Sequence, residues 1–134
     1  LFLCGHDVLA KAAPQYQAVA RKLARAGMQV LVMDPVGQGE RIAYPDEAPS
    51  GANPLWCMPG TSEHTLGGLS ALFLGESSSR RFVADALTAL RFLAEQEDVD
   101  ETRLGVTGNP ARVSRVCCLL RSVPRFGRLR PARL

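Results

Sequence analysis

Two rhythms of apolar and polar residues divide the first 109 positions into elements. Leu1-Phe2-Leu3-Cys4 and Val30-Leu31-Val32-Met33 are short unbroken apolar runs, ended by Gly5 and by Asp34. Runs of this kind predict strands buried on both faces, as in a parallel sheet. Between them Tyr16, Val19, Leu23 and Ala26 recur at spacings of three and four, while Arg21, Lys22 and Arg25 fall elsewhere around the turn. That spacing predicts an amphipathic helix over 14–26 with a core-facing stripe, opened by Pro14, whose missing N–H costs nothing there, and closed by Gly27. A strand, a helix and a strand in this order make a βαβ unit with parallel strands and a right-handed crossover. A second helix is predicted over 80–96, where Phe82, Ala86, Ala89, Leu90 and Leu93 face the sheet and Ser77-Ser78-Ser79 offers the N-cap. Leu104 to Thr107 is the third strand, and the fold class is α/β.

Chemistry in such sheets gathers beyond the carboxyl ends of the strands. Gly5-His6-Asp7 leaves the first strand there, and by itself it reads as a strand-end turn with His6 as a polar cap. Asp34-Pro35-Val36-Gly37-Gln38-Gly39-Glu40-Arg41 leaves the second. Its two glycines predict a flexible turn close to the site, but the string is not G-x-G-x-x-G and does not point to a nucleotide. Residues 43–62 are rich in Pro, Gly, Asn and Ser and read as a loop excursion, where Trp56 either lines a substrate pocket or pins the loop. His64 follows that loop and precedes an apolar stretch, so it caps a helix start or faces substrate. Glu95, Glu97, Asp98, Asp100 and Glu101 crowd the end of the second helix, an unfavourable place for acids, and read as a solvated surface loop rather than as acid–base machinery.

Taken in order, Leu3-Cys4-Gly5-His6, Lys11 with Pro14-Gln15-Tyr16-Gln17, the whole of Asp34 to Arg41, Glu63-His64-Thr65, Leu74-Gly75-Glu76-Ser77, Val99-Asp100 and Arg103 to Asn109 resemble α/β-hydrolases of the acetyl xylan esterase and dienelactone hydrolase type. The resemblance covers about residues 1–109, and the Asp34–Arg41 string is its most specific piece. It implies an incomplete α/β-hydrolase fold, a parallel sheet core with flanking helices whose C-terminal half is missing. It also implies descent from a serine carboxylic-ester hydrolase acting on a small acyl or acetyl ester, with no cofactor. The turn at His6 and Asp7 would then supply backbone N–H groups to an oxyanion hole, and Trp56 and His64 would be substrate-loop residues. In the family order the triad histidine follows the nucleophile, whereas His64 precedes this position.

The nucleophile elbow, G-x-S-x-G, falls at Gly108-Asn109-Pro110-Ala111-Arg112. Pro110 has no hydroxyl and no N–H, and it fixes φ near −65°. It cannot be a nucleophile, and Arg112 stands where the pattern wants glycine. A shifted reading frame accounts for both. Codons CCG, GCG and CGG for Pro110, Ala111 and Arg112, followed by GTN for Val113, become TCC GGC GCG GGT when one T is restored in front. That reads Ser-Gly-Ala-Gly, and with Gly108-Asn109 it completes an elbow. The hypothesis divides the chain into a partial hydrolase domain, 1–109, and an Arg-rich tail, 110–134, that is out of frame or disordered, and it makes the chain inactive as it stands.

Charge sharpens that division. The net charge is +3, yet residues 1–110 hold 9 Lys and Arg against all 13 Asp and Glu, and residues 111–134 hold 7 Arg and no acid. The second function class is therefore a non-catalytic module whose basic tail binds nucleic acid or anionic surfaces. Nucleic acid is disfavoured, because Phe126 is the tail's one aromatic for base stacking and Pro124 and Pro131 break any long helix. Cys4, Cys57, Cys117 and Cys118 show no C-x-x-C spacing and, with two histidines, form no recognisable zinc site. They read as free thiols of a reducing, cytoplasmic compartment. Nothing reads as a signal peptide or as an apolar run of ~18 residues, so no membrane span is expected.

Overall fold

The computed structural model describes residues 1–44 and 60–109. Trp56, Pro110 and the 110–134 tail lie outside them, as do Cys57, Cys117 and Cys118.

Among the described residues three parallel strands form a sheet: β1 (Phe2–Leu3), β2 (Val32–Met33) and β3 (Thr107–Gly108), in the order β2-β1-β3. Phe2 pairs with Val32 and with Thr107, and Leu3 with Met33 and with Gly108. The βαβ expectation holds: α1 (Pro14–Arg25) connects β1 to β2, and α2 (Thr61–Phe73) and α3 (Ser78–Ala94) precede β3. The ladders are shorter than the apolar runs. Their two-residue length reflects three strands that meet over a narrow overlap. The third strand pairs at Thr107–Gly108 rather than along Leu104–Thr107.

Alternation along β1 decides which helix each residue meets, because successive side chains point to opposite faces. Leu1 and Leu3 join Ala86 and Leu90 of α3 and Val106 in one buried cluster, against which Leu31, Met33, Val83, Leu87, Ala89 and Leu104 pack. Phe2 points the other way and meets Tyr16 of α1, ring centroids 5.6 Å apart. Helices thus cover both faces of the sheet, which is why the whole of β1 is apolar.

The helix ends follow local chemistry. Ala13, forced into an extended conformation by the proline after it, caps α1 without a side-chain bond. The helix closes in a Schellman pattern, with Gly27 N–H donating to Ala24 O at 3.0 Å and Met28 N–H to Leu23 O at 3.2 Å. The same pattern ends α2, through Gly75 to Leu72 and Glu76 to Ala71. Ser77 Oγ accepts from the Arg80 N–H at the start of α3, as the serine run predicts. Two residues of the predicted stripes are placed differently. Ala26 is exposed, because it is the C-cap beyond the last full turn of α1. Phe82 turns its ring to His64 rather than to the sheet.

Among the described residues no helix is long and apolar enough to cross a membrane.

Candidate functional site

The carboxyl ends of β1, β2 and β3 converge, and each delivers a different group. From β1 comes the Gly5-His6-Asp7 turn. From β2 comes Asp34 with the loop to Arg41. From β3 comes Asn109, whose N–H donates to Leu3 O at 3.0 Å. The approach of β3 to β1 is close. A Cβ at Gly5 would overlap the Asn109 side-chain amide and come within 2.7 Å of the Tyr16 hydroxyl. Gly108 sits at φ +143, where a Cβ would collide with the Leu3 backbone, so only glycine can end β3 here. The residue that follows Asn109 in the chain is Pro110.

The turn after β1 is held from several sides. Gly5 N–H donates to the Tyr16 hydroxyl at 3.0 Å. Asp7 accepts from Leu9 N–H at 2.9 Å and from Gln15 Nε2 at 2.6 Å. Gln38 is fully buried, and its Nε2 donates to Gly5 O at 2.8 Å and to Asp7 O at 2.6 Å. Just beyond, the buried Ala10 holds φ +42, a left-handed conformation that costs a residue with a Cβ about 1–2 kcal/mol.

Asp34 anchors the second loop. Only 4% exposed, its carboxylate accepts from Lys11 N–H at 2.8 Å, from Glu40 N–H at 3.1 Å and from Lys11 Nζ at 2.5 Å. Burial alone would push its pKa up, but the bonds from the Lys11 ammonium and the two amides outweigh burial and hold it below the ordinary 3.8. The side-chain bonds to Asp34 and Glu40 raise the Lys11 ammonium above its ordinary 10.5. Gly39 packs so close to this carboxylate that a Cβ would lie 2.5 Å from Oδ2, and its N–H donates to Val8 O at 3.0 Å. Arg41 pairs with Asp85 of α3 at 2.7 Å. The two glycines are thus packed rather than open: Gly39 lets the chain pass close to the Asp34 carboxylate, and Gly37 lies against Glu63.

His6 and His64, distant in sequence, meet with ring centroids 5.1 Å apart, and the Phe82 ring lies 5.2 Å from that of His64. His64 is in the first turn of α2, one residue after the buried Glu63, which accepts from Ala43 N–H and Tyr44 N–H. Its Nε2 lies 2.6 Å from Val36 O. A carbonyl only accepts, so this nitrogen carries the proton and is not available as a base. His64 thus braces the loop after β2 and lies beside the exposed His6 ring.

The structure thus brings His6 and His64 together next to Asp7, with Asn109 beside Gly5. Trp56 and Pro110 are outside the described residues. Asp34, Gln38, Glu63 and Tyr16 have site-building roles that apolar periodicity does not reveal. A polar residue held between two glycines, as Gln38 is, was the available signal. Among the described residues no group of three or more His, Cys, Asp or Glu could hold a metal ion. No family model, no curated protein and no solved structure matches this chain.

Proposed function

We propose that this chain derives from a serine carboxylic-ester hydrolase of the cytoplasm, acting on small acyl or acetyl esters, and that as it stands it keeps the oxyanion turn without the nucleophile. The observation that carries the reading is the pairing of β1 with β3, which sets Asn109 against the Gly5-His6-Asp7 turn. In an ester hydrolase these two strand ends must be neighbours. A serine leaving β3 attacks the ester carbonyl, and an N–H of the β1 turn binds the negative charge that develops on the oxygen. The serine oxygen bonds to the acyl carbon, the alcohol leaves, and water then releases the acid. Pro110 supplies neither the hydroxyl nor an N–H for that oxyanion.

In this reading residues after Asn109 are translated in a shifted frame. The test is to resequence the DNA across the codons for Asn109 to Val113, and to express the product whose frame reads Ser-Gly-Ala-Gly after Asn109. A fluorophosphonate probe, which labels activated serines, should modify that product at position 110 and leave the present chain unmodified. A frame-restored, folded product that resists the probe and hydrolyses no p-nitrophenyl acetate sinks the proposal.

A further inference from the structure

We infer that Gln38 is the positioning residue of the oxyanion turn, setting the direction of the His6 N–H. The inference rests on the esterase reading for its catalytic meaning and on the following geometry for its substance. Gln38 Nε2 has two protons, and both go to carbonyls of the turn, Gly5 O at 2.8 Å and Asp7 O at 2.6 Å. A peptide unit is planar and trans, so its N–H points opposite to its C=O. Holding Gly5 O toward Gln38 therefore directs the His6 N–H away from Gln38, and holding Asp7 O does the same for the Val8 N–H.

The sheet order gives that direction its meaning. Gln38 is on the chain leaving β2, and Asn109 is on the chain leaving β3, with β1 between them. A His6 N–H turned away from the β2 side is turned toward the β3 side, where the nucleophile position follows Asn109. Gln38 is itself fixed. Its N–H donates to Pro35 O at 3.2 Å, its C=O accepts from Arg41 N–H at 3.0 Å, and neighbouring Gly39 is tied to Val8 O. Gln38 itself has no exposed surface. Of the two oxyanion candidates, the geometry selects the His6 amide as the one whose direction this side chain sets.

The experiment is backbone 15N relaxation on the full 134-residue chain and on its Gln38→Met variant, which keeps the length of the side chain and removes both donors. In the unsubstituted chain the His6 N–H should be as rigid as the core, with an order parameter near ~0.85. In the variant it should fall below ~0.6, while Ala86 and Leu90 of α3 stay rigid. A rigid His6 amide in a folded Gln38→Met chain would overturn the assignment. So would a mobile His6 amide in the unsubstituted chain, a measurement that needs no variant to fold. The failures separate. If the frame-restored product ignores fluorophosphonate while His6 responds to Gln38→Met, the esterase reading is wrong and the geometric role of Gln38 stands. If the product is labelled and His6 does not respond, the reverse holds.

Discussion

Removing the Asp34 carboxylate should destabilise the whole carboxyl end of the sheet. Asp34→Ala takes away the acceptor for two backbone amides, Lys11 N–H and Glu40 N–H, and the partner of the Lys11 ammonium. A buried donor left without an acceptor costs about 1–3 kcal/mol. The Lys11 side chain is 35% exposed and keeps Glu40 at 2.8 Å, so its loss is that of a surface pair, about 0–1 kcal/mol. With water entering part of the space left, the substitution should cost about 3 kcal/mol. Asp34→Asn keeps one oxygen in the same place and should cost about 1–2 kcal/mol, since it spares at least one amide. Urea unfolding followed by circular dichroism reads both, as a fall in midpoint at unchanged slope.

The pH dependence has a fixed sign. The folded-state pKa of Asp34 lies below 3.8, so its contribution is present in full above that value and is lost as pH falls through the lower, folded pKa. That of Lys11 lies above 10.5, so its contribution is full below 10.5 and is lost as pH rises through the higher value. The gap between the unsubstituted chain and Asp34→Asn should therefore be constant near neutrality and narrow below 3.8. An Asp34→Ala chain within about 0.5 kcal/mol of the original, or a gap that widens in acid, would refute the anchoring role.

Gly108→Ala should cost about 3 kcal/mol or more, seen as loss of cooperative unfolding, because the added Cβ meets the Leu3 backbone nitrogen at 2.7 Å from a φ of +143. Phe73→Glu should reduce concentration-dependent self-association in sedimentation velocity. Phe73 is 91% exposed, beside the exposed Leu69, Leu72 and Leu74. Unchanged sedimentation would show that this apolar end of α2 does not drive association. A version ending at Asn109 should bind a short DNA duplex no more weakly than the full chain. Tighter, salt-dependent binding by the full chain would favour the basic-tail module instead.

The architecture was legible where one physical cause dominated. Continuous apolar runs at 1–4 and 30–33 marked two strands, of which the first is fully buried while Val30 to Met33 are half-buried at the sheet's side, and the three-and-four spacing from Tyr16 to Leu23 marked a helix packed on them. Strand lengths were not legible, because apolarity marks burial whereas a ladder needs a neighbour at hydrogen-bonding distance. That is why Val30 and Leu31 are apolar yet outside the β2 ladder, and why β3 pairs at Thr107–Gly108. Ala26 and Phe82 fit their stripes by spacing. Helix termination exposed the first, and the imidazole of His64 claimed the second. The meeting of His6 with His64 across 58 positions had no local signal at all.

The Asp34–Arg41 loop shows why glycine-rich strings mislead. Gly37 and Gly39 both have positive φ, which a sequence reader equates with freedom. Here the same property permits a tighter fit. Gly39 presses on the Asp34 carboxylate, and Gly37 N–H closes the loop onto Arg41 O at 2.8 Å. Gln38, between them, turns inward to reach two carbonyls of another strand's turn. Without the close passage that the glycines allow, the Gln38 amide would not lie within reach of Gly5 and Asp7. The loop from Asp34 to Arg41 is thus the part of the chain that holds the Gly5-His6-Asp7 turn in place. Its rigidity should be high, because Asp34 is tied to Lys11 and Gln38 to the carbonyls of Gly5 and Asp7. Order parameters across 34–41 as high as those of α3 would bear this out, and a mobile loop in the unsubstituted chain would refute it.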